Sequence, residues 1–171
     1  TVALLWLIVR RHFGVTAATI ADLALALTPI SVAVDRLNLP EPFFILALVG
    51  AAGAVLCSLE ARRWWMWTAL AGLLVGLAFN SKMLAGWIPG PAFVLALLVG
   101  WAGPWRAALR PTLGRLAVLG VVTLLASASW MLIVDHWPEG SRPYIGGSTD
   151  NTVQDLVLGY HGISRVDGDD Q

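Results

Sequence analysis

Five apolar stretches, each close to the length that crosses a lipid bilayer and joined by short polar connections, leave this sequence very few folds to choose from. They run over about 15–34, 43–59, 64–79, 84–101 and 116–134. A helix needs about 20 apolar residues to span the hydrocarbon layer, and the shorter stretches reach that length through interfacial tryptophans. Trp64, Trp65, Trp67, Trp87, Trp101, Trp105 and Trp137 all stand near predicted ends, as an aromatic belt requires. With 57% hydrophobic and 13% charged residues, against about 25% charged in a soluble domain, the chain has too little polar surface to face water on all sides. In lipid every backbone amide needs a partner within the protein, which selects helices over irregular structure. The expected fold is all-α, a polytopic transmembrane helical bundle with five full spans. Residues 1–9 are apolar too but cover about half a crossing, with no initiator methionine and no basic region before them. They read as the tail of a truncated span, and the chain as a fragment.

Orientation follows from the arginines. The first, third and fifth connections carry Arg10, Arg11, Arg62, Arg63, Arg106, Arg110 and Arg115, and the opposite side carries Arg36, Lys82, Arg142 and Arg165. Short loops rich in Arg and Lys stay in the cytoplasm. Residues 135–171, with seven acidic residues and two arginines, then form an extracytoplasmic tail of a multi-pass protein in the plasma membrane. Within it 143–149 is rich in Gly and Ser and reads as a loop. Asn151 and Gln154 stand in capping-box positions, and Val153, Leu156, Val157 and Tyr160 share one helical face. These residues predict a short amphipathic helix near 151–160, lying on the outer membrane surface.

Several chemistries are excluded. Cys57 is the single cysteine, so there is no internal disulfide and no thiolate zinc cluster. The three histidines show no metal-ligand spacing, and no metal or cofactor is expected. Nucleophile elbows, phosphate-cradling glycine loops and nucleic-acid motifs are absent from the sequence. Asp22 lies well inside a span, where a carboxylate costs about 2.5–3.5 kcal/mol; it is expected to face other helices, near Thr19 or a partner outside this segment.

The outward side collects the remaining polar residues in three clusters. Asp35, Arg36, Asn38 and Glu41 form one, Asn80, Ser81 and Lys82 a second, and Arg142, Tyr144, Asp150, Asn151 and Tyr160 a third. Basic side chains at a lipid–water boundary hold anionic headgroups, and carboxylates and amides hold sugar hydroxyls. Ordinary loop polarity and a snorkelling lysine explain any one of them equally well.

Three segments resemble a known family: the stretch from Leu27 through Thr28, Pro29, Asp35, Arg36 and Asn38 to Glu41; the run Gly76-Leu-Ala-Phe-Asn-Ser-Lys-Met-Leu; and the tail Arg142-Pro-Tyr-Ile-Gly-Gly-Ser with the following Gly159-Tyr-His-Gly. Together they are similar to the bacterial branch of the protein O-mannosyltransferase and aminoarabinose-transferase superfamily, glycosyltransferase family 39, which has the GT-C membrane fold. The resemblance covers roughly 9–166. It implies a hexosyl- or pentosyltransferase that takes a sugar from a polyprenyl-phosphate donor and moves it to an acceptor on the extracytoplasmic face, with membrane lipid as its other partner. It places the donor phosphate on Lys82, with Arg36 a second candidate. Asp35, Asn38, Glu41, Asn80, Arg142, Tyr144, Asp150, Asn151 and Tyr160 become candidates for the sugar or acceptor site. The family's catalytic carboxylate, a general base on the acceptor hydroxyl, would precede Thr1, so the chain by itself is expected to be inactive. A flippase or transporter for a lipid-linked intermediate, using Asp22 and the proline-broken helices, and a non-catalytic lipid-binding subunit are the alternatives.

Overall fold

A computed structural model describes residues 1–37, 39–100, 105–138, 141–142, 144–146, 148 and 150–157, with side chains from 110 onward in the last long helix. The described residues form helices α1 (Val2–Leu27), α2 (Pro29–Asp35), α3 (Glu41–Glu60), α4 (Trp64–Lys82), α5 (Gly90–Val99), α6 (Trp105–Asp135) and a single turn, α7 (Val153–Asp155), with a 3-10 segment Met83–Trp87 between α4 and α5. The fold is an all-α membrane helical bundle. By length and composition, four of the described segments could cross a bilayer: Val2–Leu27, which is broken at Gly14, Glu41–Glu60, Trp64–Trp87 and Arg110–Asp135. Large apolar side chains such as Leu73, Val121, Leu124 and Leu125 stand exposed along them, which is the arrangement of helices solvated by hydrocarbon.

Helix α1 is not one rod. Gly14 sits at φ 85°, ψ 173°, a conformation open to glycine because it has no Cβ. The chain doubles back there, so that Thr1 and Val2 line the same cleft as Leu25 and Ala26. The first arm packs on α3, with Leu4 beside Gly50 and Ile8 beside Gly53. The second arm ends at Thr28, which is extended (φ −67°, ψ 117°) because the ring of Pro29 disfavours the α region for the residue before it. Pro29 then opens α2 at its first position, where its missing N–H is not needed. The expected helix over 15–34 is thus divided at Thr28. Asp22 is half-buried with its Oδ1 enclosed and no hydrogen-bond partner among the described residues; the Thr19 hydroxyl donates to the Val15 carbonyl instead.

Helices α3 and α4 form a tight antiparallel hairpin turned at 61–63. Their shared face is built of small residues: Ala47, Ala51 and Ala54 on α3, Ala71, Val75 and Ala78 on α4. Helix α6 lies on the other side of α4. There a Cβ added to Gly76 would stand 2.3 Å from the Ala126 Cβ, so only glycine permits that approach. Phe93, Leu97 and Leu119 complete the core with Val55.

The stretch 84–101, expected as one span, is corrected by the structure. After Met83 (φ 52°) the chain folds back through the 3-10 segment, and α5 has ten residues. Pro89 cannot donate and Pro91 opens a new first turn, which together prevent a continuous helix. Trp87 stacks on Phe79 with centroids 5.0 Å apart and donates from Nε1 to the Ser127 hydroxyl at 3.1 Å. The return path still reaches the arginine-bearing end, where Gly100 lies against Leu59. Of the expected tail helix, α7 covers Val153–Asp155 and helical structure continues through Val157, while 158–160, including Tyr160, lie outside the described residues. Val153 and Val157 are buried with Phe79 and pack against Met83, Met131 and Ile145, because the end of the α4–α6 pair offers them an apolar seat.

Candidate functional site

The two ends of the bundle differ in chemistry. At one end Arg11 pairs with Glu60 at 2.6 Å, with His12 3.9 Å from the same carboxylate, and Arg115 is buried against α3. At the other end stand Lys82, Glu41, Asp35, Arg36 and Asn80.

Lys82 is the last residue of α4 and Glu41 the first of α3, so the hairpin carries them to the same level. The Lys82 Nζ donates to Glu41 Oε1 at 2.8 Å and lies 5.7 Å from the centre of the Phe44 ring. Both side chains are partly open, 37% for Lys82 and 25% for Glu41. Glu41 Oε2 is enclosed and has no hydrogen-bond partner among the described residues. The carboxylate also sits in the first turn of α3, where the helix dipole favours negative charge. The positive φ of Met83 ends α4 abruptly and leaves the lysine at its apex. Two of the sequence clusters therefore meet in one ion pair.

Asp35 ends α2 and lines a cleft of about 170 Å³ with Ser31, Val32, Pro42 and the first residues of the chain. Arg36 follows it, exposed. Asn38 lies outside the described residues. Asn80 spends its amide N–H on the Ala126 carbonyl at 3.1 Å and lines a second cavity, of about 320 Å³, with Trp130, Met131, Tyr144 and Ile145. Tyr144 is 86% exposed at its rim.

The third cluster is occupied mainly with holding its own loop. Arg142 donates to the carbonyls of Asp135 (2.6 Å), Trp137 (2.9 Å) and Asn151 (3.1 Å). Asn151 adopts φ 60° and its Oδ1 accepts from the Ile145 N–H at 2.7 Å. The cap of α7 is Thr152, whose hydroxyl accepts from the Asp155 N–H, so the capping role expected of Asn151 falls one residue later. Asp150 accepts from the Thr152 hydroxyl at 2.6 Å, from the Thr152 N–H and from the Ser148 hydroxyl. These bonds, the Thr152 hydroxyl first, hold its carboxyl below the ordinary aspartate range. Asp135, which the sequence reading passed over, accepts from the Val153 and Gln154 N–H groups at 2.7 and 3.0 Å. An acid placed next to a predicted span end was the available signal, but its partners lie 18 and 19 residues away. Among the described residues no group of three His, Cys, Asp or Glu comes together as a metal site.

With this geometry in view, the family model for dolichyl-phosphate-mannose-protein mannosyltransferase matches residues 1–131. The chain belongs to that family. Residues 1–131 include Asp35, Arg36, Glu41, Asn80 and Lys82, whereas the Arg142–Asn151 loop follows them. Two relatives from Bacillus subtilis strain 168, both named as mannosyltransferases, cover the loop as well. YkcB is 37% identical over 168 residues and YycA 39% identical over 169, each across 98% of this chain. The chain spans about a quarter of their length, 23% and 24% respectively. No solved structure matches it. Family membership and the apolar helices together make this part of an integral membrane protein.

Proposed function

We propose that these residues form the donor-phosphate side of an active site in a membrane mannosyltransferase. The enzyme takes the sugar from a polyprenyl-phosphate carrier and delivers it to an acceptor at the extracytoplasmic face of the cell membrane. The observation that carries this reading is Lys82, the chain's one lysine, fixed at the apex of α4 on the end opposite the arginine-rich turns, with its ammonium partly open. A compact ammonium at the membrane boundary is suited to a phosphodiester whose lipid tail stays in the bilayer. Arg36 is the second cation on this end, and Asp35, Asn80 and Tyr144 line the clefts beside it where sugar or acceptor hydroxyls would bind. Arg142, Asp150 and Asn151 support this region by shaping the loop that covers the end of α4 and α6.

In this reading the general base is none of Glu41, Glu60, Asp135 and Asp150. Glu41 is tied to Lys82, Glu60 to Arg11, Asp135 to α7, and Asp150 to its own turn, so none of these four carboxylates is poised over an acceptor hydroxyl. The test is a transfer assay with the full-length protein in vesicles, comparing polyprenyl-phosphate mannose with a nucleotide-linked mannose. Transfer from the lipid-linked donor that Lys82→Ala reduces at least tenfold is the expected result. Transfer from the nucleotide sugar alone, or undiminished transfer by Lys82→Ala, overturns the reading.

A further inference from the structure

We propose that Glu41 tempers the Lys82 charge so that the dianionic phosphomonoester left after transfer is held less tightly than Lys82 alone would hold it, which lets spent carrier leave while the monoanionic phosphodiester of the donor still binds. The inference rests on the reading of Lys82 as the phosphate contact and adds to it a specificity determinant.

Glu41 Oε1 already occupies one hydrogen of the Lys82 ammonium at 2.8 Å. A phosphate oxygen on a second hydrogen of the same nitrogen would stand about 4.5 Å from that carboxylate oxygen, given ordinary charge-assisted lengths. Neither group leaves the other's field at that distance. Among the described residues Lys82 is the one other side chain that donates to the Glu41 carboxylate, and Oε2 is enclosed without a partner. The pair as a whole is neutral. Arg36 and Asp35, adjacent on α2, add one charge of each sign and leave that balance unchanged.

Sugar transfer forms a bond from the acceptor oxygen to the anomeric carbon, with the hydroxyl proton passing to the general base, and breaks the bond between that carbon and the bridging oxygen, whose electron pair stays with the phosphate. A phosphodiester of charge −1 becomes a phosphomonoester approaching −2, as its second ionisation lies near pH 6. On the dianion both the attraction of Lys82 and the repulsion of Glu41 grow about twofold, since each scales with the ligand's charge, so the carboxylate takes more from the binding of the monoester than from that of the diester. Glu41 is in this sense a positioning and selectivity residue, and it touches the reacting atoms only through Lys82.

The experiment measures binding of two probes to the full-length protein in detergent or nanodiscs at pH 7.5: polyprenyl phosphate, and its methyl diester, which lacks the sugar and differs by one methyl group and one charge. Glu41→Gln is expected to tighten the monoester about three- to tenfold more than the diester. Glu41→Asp should keep the wild-type ratio, and Lys82→Ala should weaken both probes. The ratio of the two dissociation constants on one preparation does not depend on the fraction folded. Glu41→Ala gives the same test if Glu41→Gln yields no protein. A Glu41→Gln ratio equal to that of the wild type overturns the proposal while leaving Lys82 as the phosphate contact. Unchanged binding of both probes by Lys82→Ala overturns the donor-site reading itself, and the proposal with it.

Discussion

The guanidinium of Arg115 on α6 donates from both Nε and Nη2 to the carbonyl oxygen of Ser58 on α3, at 3.2 and 3.1 Å. Ser58 lies in the last turn of α3, where carbonyls run out of intrahelical partners. Arg115 supplies the missing donors and brings positive charge to the negative end of the helix dipole. It is 4% exposed and lies over the Trp64 ring at 5.3 Å, so one side chain links α3, α4 and α6. Replacing Arg115 with Met is expected to destabilise the protein by about 2 kcal/mol, the usual value of hydrogen bonds made by a charged group. Thermal unfolding in detergent measures this, with exposed Arg110→Met as the control that leaves the transition in place.

Contact between α4 and α6 predicts a second asymmetry. A Cβ at Gly76 meets the Ala126 Cβ at 2.3 Å, and one at Gly72 meets the Leu119 carbonyl oxygen at 2.9 Å, whereas one at Gly120 meets nothing within 4 Å. Gly76→Ala must push two helices apart and should cost about 1–3 kcal/mol. Gly120→Ala gains helix propensity and should be neutral or stabilising by up to about 1 kcal/mol. Equal melting temperatures for the two variants would contradict this account of the packing.

The loop around Asp150 should loosen in acid. Its carboxyl is held below the ordinary aspartate value by the Thr152 and Ser148 donors, so the folded loop favours the ionised form. The stabilisation is complete above the unfolded-state value and is lost as the pH falls through the lower, folded one. Hydrogen exchange at the Thr152 amide, corrected for the intrinsic rate, should therefore show constant protection near neutrality and falling protection below about pH 3.8. Asp150→Asn should remove that acid-linked change and reduce protection at neutral pH.

The all-α membrane class was legible because it depends on quantities that a sequence carries directly, namely apolar run length and scarcity of charge. What escaped were events decided by a few backbone angles. The positive φ of Met83 turns one expected helix into a 3-10 segment and a short α5, and nothing in a methionine announces it. The Lys82–Glu41 pair was half legible. Each residue stood out in its own cluster, and the two lie about twenty residues on either side of the Arg62 turn, the register an antiparallel hairpin brings together. Arg142 was legible only as a cation in a polar tail: its partners among the described residues are backbone carbonyls, which carry no sequence signature. Thr152 and Asn151 are both competent caps; the left-handed backbone of Asn151 decided between them.

Orientation gives the last prediction. The arginines of the 61–63 turn, with Arg11 and Arg115, gather at one end of the bundle, and Lys82 with the Tyr144 loop stands at the other. Positive charge in short loops is retained in the cytoplasm during insertion, so Tyr144 is expected outside. Cys57 is the single cysteine of these 171 residues and half-buried, so Cys57→Ala, combined with replacement of every cysteine elsewhere in the full-length protein, gives a clean background for single-cysteine labelling. Tyr144→Cys should react with a membrane-impermeant maleimide in intact cells, while Arg62→Cys, with Arg63 still present, should react only after permeabilisation. The reverse pattern would turn the Lys82 end toward the cytoplasm, and an outward-facing donor site would then be untenable however well the ammonium suits a phosphate.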